Sequence, residues 1–396
     1  MATRCRLACL ALSEKRSVVL LAGTREEYAA ARALLTLFTP TLSVGDIPVG
    51  MPDWERPCLA LPPTNPTNLS RGKESWPARL SAFYALALGK PRCIVASPES
   101  LLLRYMPTNF FTTRSLDLQK NHEYSPELIL EQAVEWGYER VRLVNRPGDI
   151  ARRGDILDIF PTGYTKPVRI EFFGDSVEEL RLFDPESQRS IETLAEMTLL
   201  PASPLALNRS DLTTALKRCD RLFNEGRINE TTWYSIKKAL DSNSAGVLPG
   251  SVFEAASSLE DWLAPDTLWL LPGESDSAEA LTNGWLALKE ALENPEAAIP
   301  QPANFALCKN TQQMPWRNFQ RIFAEPLVIG VERSGLDFHE RGLHSFAELF
   351  STPGAQDRPW QPLAAALKEW RSRRRQVILS FATERGRTKF LKLAEQ

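Results

Sequence analysis

Phosphate chemistry requires a glycine-rich loop whose amides cradle the phosphates. The loop ends in Gly-Lys-Ser/Thr, so that a lysine and a hydroxyl meet phosphate and magnesium. The sequence offers Gly72-Lys73-Glu74 and Gly89-Lys90-Pro91. Glutamate stands at the hydroxyl position in the first and proline in the second, so neither predicts an ATPase site. Metal binding needs several ligands within reach of one another. His339 and His344 are five apart, which does not bring them to one helical face, and no CxxC pair occurs. Cys5 and Cys9 have helical i,i+4 spacing but no further ligand nearby, so they read as packing. A serine hydrolase would show a Gly-x-Ser-x-Gly elbow, which is missing. Asp155 and Asp158, read on one strand, fall on opposite faces and make a poor acid and base pair. The basic run Arg371, Arg373, Arg374 and Arg375 follows a helix and complements its negative end. No catalytic residue, metal site or cofactor is expected.

The remaining chemistry is recognition. In Val168-Arg-Ile-Glu-Phe-Phe173, strand alternation sends Val168, Ile170 and Phe172 to one face, a core row. Arg169, Glu171 and Phe173 take the other face, so an aromatic ring sits on a polar side. Arginine and phenylalanine facing outward are residue types that carry interface energy. Alternation leaves two readings open: Phe173 docks a partner, or it packs under the Gly174-Asp175 turn or against another part of the chain. The nearby Arg152, Arg153 and Arg181 favour an acidic protein partner.

That strand lies among others that must position it. From Arg140 the sequence reads as strands at 141–144, 154–160, 168–173 and 177–183 with turn residues between them, and antiparallel pairing is expected. Ser125-Pro126 starts a helix before them and Gly137 stops it. Upstream, 17–22 reads as a buried strand, and Thr24 with Glu27 forms a capping box for the helix that follows. A strand at 58–61, a helix at 76–88 and a strand at 93–96 continue an α/β rhythm that implies a parallel sheet. Downstream, helices are expected near 209–225, 229–241 and 276–293, with strands at 268–271 and 327–330. A helix near 362–370, a strand at 376–381 and a last helix from Thr383 complete the reading.

A chain of 396 residues, 43% apolar and 24% charged, is expected to fold as several domains. The four expected are an α/β domain at 1–113, a β-rich domain at 114–204, a largely helical return segment at 205–334 and a small α/β domain at 335–396. Lysine plus arginine (47) nearly balances aspartate plus glutamate (49), so the whole molecule does not attract nucleic acid strongly. The apolar run at 5–12 is too short and too poorly flanked for a signal peptide, and no stretch approaches a membrane span. A cytoplasmic protein with no membrane partner is expected.

The runs ARRGDILDIFPTG from Ala151 and PVRIEFFGDSVEELRLFDPESQRS over 167–190 closely resemble the N-terminal module of the bacterial transcription-repair coupling factors, Mfd. That module is itself similar to the excision repair protein UvrB. EWGYERVRLVNRPGDIARRG is similar to the lead-in to the same domain. The segment 75–113 resembles the preceding α/β domain, and the tail from Trp370 resembles part of the family's third domain. The resemblance implies a degenerate UvrB-like, helicase-like α/β domain without its phosphate loop, carrying an inserted antiparallel β-rich domain. It implies a module that recruits UvrA to RNA polymerase stalled at DNA damage. By motif position, Arg153, Arg169 and Phe173 match the residues that contact UvrA, with Arg152, Arg181 and Glu171 at the periphery. Asp155 departs from a glycine often found there. ATP and magnesium, RNA polymerase and DNA belong to domains expected to lie beyond this chain. A C-terminal region of the full-length protein is a further expected partner, masking the docking face. A degenerate helicase-like DNA-binding module is the alternative from another class.

Overall fold

The computed structural model describes residues 2–38, 50–63, 76–241, 247–271 and 274–294, with scattered positions between 365 and 388. Contacts divide the chain into two units, Met1–Ser334 and Gly335–Gln396. The expected features at Gly72-Lys73, 327–330, His339, His344, 376–381 and the last helix lie outside the described residues. So does most of the expected helix near 362–370.

In the first unit the described elements are α1 (Ala2–Ser13), β1 (Val18–Leu21), α2 (Arg25–Phe38), β2 (Cys58–Ala60), α3 (Trp76–Ala87), β3 (Cys93–Ala96), β4 (Leu116–Gln119), α4 (Pro126–Glu135), β5 (Glu139–Arg140), β6 (Asp149–Arg153), β7 (Ile156–Ile159), β8 (Val168–Phe173), β9 (Ser176–Phe183), β10 (Ser190–Leu194), β11 (Glu196–Leu199), α5 (Arg209–Asn224), α6 (Glu230–Asp241), α7 (Pro249–Val252), β12 (Leu268–Leu270) and α8 (Glu274–Glu293). They build a mixed α/β fold with three sheets. One is parallel, in the order β12-β1-β3-β2; one has six strands, β10-β9-β8-β7-β6-β5; and β11 pairs β4. Among the described residues no helix is long and apolar enough to cross a membrane.

The parallel sheet follows from its apolar runs. Val18–Leu21 and Cys93–Ala96 are buried at every position, as strands covered on both faces must be. One face packs α1 and α2 through Cys5, Ala8, Tyr28, Ala31 and Leu35, so Cys5 is packing. Thr24 caps α2 by accepting the Glu27 N–H at 3.1 Å. The Glu27 carboxylate accepts from Gly23 N–H, at 2.8 Å, instead of closing the box on Thr24 itself. Gly89 ends α3 with φ +68, and Lys90 pairs with Glu55 at 3.3 Å. This Gly-Lys pair is a helix stop.

The other face of the parallel sheet and the inner face of the six-stranded sheet share one continuous core. Val19, Ile94 and Phe83 belong to it together with Ile150, Leu157, Ile170, Leu180 and Leu182. Trp54 closes the join, its ring edge-on to Tyr164 with centroids 5.4 Å apart. The Asp53 N–H donates to the Gly163 carbonyl at 2.6 Å. A Cβ on Gly163 would come within 2.4 Å of the Trp54 ring, at a backbone φ of +83. Gly163→Ala is therefore expected to cost about 3 kcal/mol through overpacking and left-handed strain together, read as a lowered denaturation midpoint. Gly174→Ala meets nothing within 4 Å and should cost only about 1 kcal/mol.

Two strand expectations need correction. The strand at 141–144 is instead β5 at 139–140, and it pairs parallel with β6, not antiparallel. Asp149 Oδ2 accepts the N–H groups of Asn145 and Arg146, each at 2.9 Å, which takes those amides out of a ladder just before the Pro147-Gly148 turn. The strand at 154–160 begins only at Ile156, because Gly154 and Asp155 form the β6–β7 turn.

Candidate protein-docking site

Strand register defines the outer face of the six-stranded sheet. Asp158 on β7 lies opposite Arg169 on β8, which lies opposite Arg181 on β9. One step along, Arg153, Ile156, Glu171 and Glu179 form the next rung, and Phe173 stands beyond it opposite Ser176. Arg153, Arg169 and Phe173 thus share one face. At ~3.3 Å per residue, Arg169 and Phe173 lie about 13 Å apart along β8.

The inner row of β8 is buried, whereas Phe173 is 77% exposed. Of the two readings left open by alternation, packing under the turn is the one the structure rejects. Gly154 and Gly174 each take positive φ, at +62 and +61, in the first central position of a two-residue hairpin turn. The second positions, Asp155 and Asp175, do not need a left-handed backbone, so aspartate fits where a glycine had been expected.

The arginines are less available than their number implies. Arg169 makes a two-point contact with Asp158, Nε to Oδ1 at 2.7 Å and Nη2 to Oδ2 at 2.9 Å. That bond holds the guanidinium above its ordinary pKa. Arg181 pairs with Glu171 at 3.1 Å and with Glu179, separating two carboxylates that sit directly opposite each other. Arg152 requires a correction. As the neighbour of Arg153 on β6 it points to the opposite face, where it pairs with Glu127 of α4 and lowers that carboxyl's pKa. Arg153 is exposed and donates to the Arg142 carbonyl at 2.6 Å; among the described residues it makes no ion pair.

Sequence reasoning missed Asp158 as the partner of Arg169, having weighed it only as a catalytic acid. Alternation places Asp158 on the outer face, as it does Glu171, and only the small cluster of Val144, Ala151, Phe160 and Phe183 on that face accompanies its burial. The outer face therefore offers an exposed aromatic ring, Arg153 without an ion pair among the described residues, and a lattice of two arginines and three carboxylates between them. That is equipment for binding a protein.

The family described as the UvrB interaction domain matches residues 116–204, which contain the six-stranded sheet. The chain is 26% identical to the transcription-repair-coupling factor of Myxococcus xanthus over 322 residues, covering 77% of this chain and 27% of that protein. It is 32% identical to the Bacillus subtilis transcription-repair-coupling factor over 142 residues, 36% of this chain and 12% of that one. The UvrABC system protein B of Pseudothermotoga lettingae is 28% identical over 160 residues, 38% of this chain and 24% of that protein. The chain is similar to transcription-repair-coupling factors over these spans. The matches span about a quarter or less of those relatives' own length.

Proposed function

We propose that the outer face of the six-stranded sheet docks UvrA, and that the chain serves transcription-coupled nucleotide excision repair by recruiting it. The observation that carries this reading is Phe173, an aromatic ring 77% exposed on a strand whose next residue inward is core. A rigid sheet presents the ring at little entropic cost, which is how anchors at interfaces gain their energy. The UvrB interaction domain match over the same residues supports the choice of partner. In this reading ATP-driven movement and contact with RNA polymerase belong to other parts of the coupling factors.

The same reading extends to architecture. β12, which follows the β-rich segment, pairs parallel with β1, which precedes it. That pairing supports a UvrB-like α/β domain into which the UvrA-binding domain is inserted.

Titration with UvrA at two salt concentrations tests the electrostatic part. Of Arg153, Arg169 and Arg181, the last two are neutralised within the sheet, and Arg153 is the one without an ion pair among the described residues. Arg153→Ala is expected to weaken binding by about 1 kcal/mol at low salt and by much less at high salt. An equal loss at both salt concentrations would show that Arg153 does not act as a charge.

A further inference from the structure

Asp158 is 2% exposed, deep in the sheet between two core residues of β7. Both its carboxylate oxygens are occupied by Arg169. The Arg169 guanidinium carbon also lies 4.8 Å from the centroid of Phe183, whose ring is fully buried in a small cluster with Val144, Ala151 and Phe160. A planar guanidinium held at one edge by a carboxylate and over one face by a ring has no rotamer freedom left to lose. Its remaining N–H groups then point in fixed directions. Arg181, directly across on β9, is occupied by Glu171 and Glu179 and does not compete for Asp158.

We infer that Asp158 is a positioning residue of the docking face: it converts Arg169 from a mobile cation into a fixed hydrogen-bond donor edge. The inference rests on the UvrA docking proposed above and deepens it. The partner meets Arg169 with acceptor oxygens at a set position, beside an apolar recess for Phe173, and not with a generally acidic surface. Lysine could not replace Arg169, because an ammonium offers no second nitrogen in the plane for Asp158 to grip.

A binding cycle on the whole chain tests this by calorimetric titration with UvrA, at a temperature where circular dichroism shows each variant folded. Asp158→Ala is expected to weaken binding about as much as Arg169→Ala does, on the order of tenfold. Added to Arg169→Ala, it should change the affinity by less than about twofold, because its effect runs through the arginine. Arg169→Lys should bind no better than Arg169→Ala. The inference is overturned if Asp158→Ala binds like the wild type, if its loss persists undiminished beside Arg169→Ala, or if lysine restores binding. Should Asp158→Ala not fold, Asp158→Asn takes its place, with a smaller loss expected and no loss overturning the inference. Phe173→Ala separates the two levels. If it binds UvrA as tightly as the wild type, the docking itself is refuted; if it loses binding while Asp158→Ala does not, only the role of Asp158 falls.

Discussion

Phe173→Ala is expected to weaken UvrA binding by about 2 kcal/mol or more, roughly thirtyfold, while leaving the folded chain as stable as before. Both halves follow from its position. The ring is 77% exposed at the end of β8, so truncating it opens no cavity and strands no polar group. The adjacent Phe172 is 6% exposed and belongs to the continuous core. Phe172→Ala should do the reverse, costing about 3 kcal/mol of stability through the cavity it leaves. Measuring affinity and denaturation midpoint for both variants distinguishes a docking anchor from a core residue. A Phe173→Ala protein that binds UvrA normally would refute the docking face.

Arg169→Ala should destabilise the fold by about 3 kcal/mol, a large effect for a half-buried surface arginine. The cost arises less from the lost side chain than from what it leaves behind. The Asp158 side chain is 3% exposed, and its carboxylate would have no counter-charge. Removing the carboxylate as well, in the Asp158→Ala/Arg169→Ala double variant, should recover most of the stability without recovering UvrA binding. Urea denaturation of the wild type, both single variants and the double variant provides the cycle. If the double variant is as unstable as the sum of the single variants, the buried charge is not the cause.

Local rules carried the reading of the sequence a long way where one residue type decides the outcome. Val18–Leu21 and Cys93–Ala96 are short, apolar throughout and set in an α/β rhythm, and both are strands buried at every position. Ser125 caps α4, accepting the Leu128 N–H at 3.4 Å, and Pro126 follows it in the first helical position. The alternation of Val168–Phe173 separated a core row from an outer row, and burial follows it residue by residue. Reading failed where a side chain took over backbone partners. Nothing periodic in 141–144 announces that Asp149 will bind the amides of Asn145 and Arg146 and end pairing there.

The sequence by itself determined that Phe173 leaves the core face, because successive side chains on a strand must point to opposite sides. It also determined that Gly174-Asp175 turns the chain after β8, because glycine adopts the required backbone freely; the matching turn at Gly154-Asp155 emerged only from the structure. Only the tertiary structure decided which charges are available. Arg152, Arg153, Arg169 and Arg181 look alike in sequence, yet one faces α4, one makes no ion pair among the described residues, and two are neutralised by carboxylates on neighbouring strands. Those pairings depend on strand register, and register here is set by the shared core beneath the sheet. Which residue meets which across a sheet is a property of the packed whole.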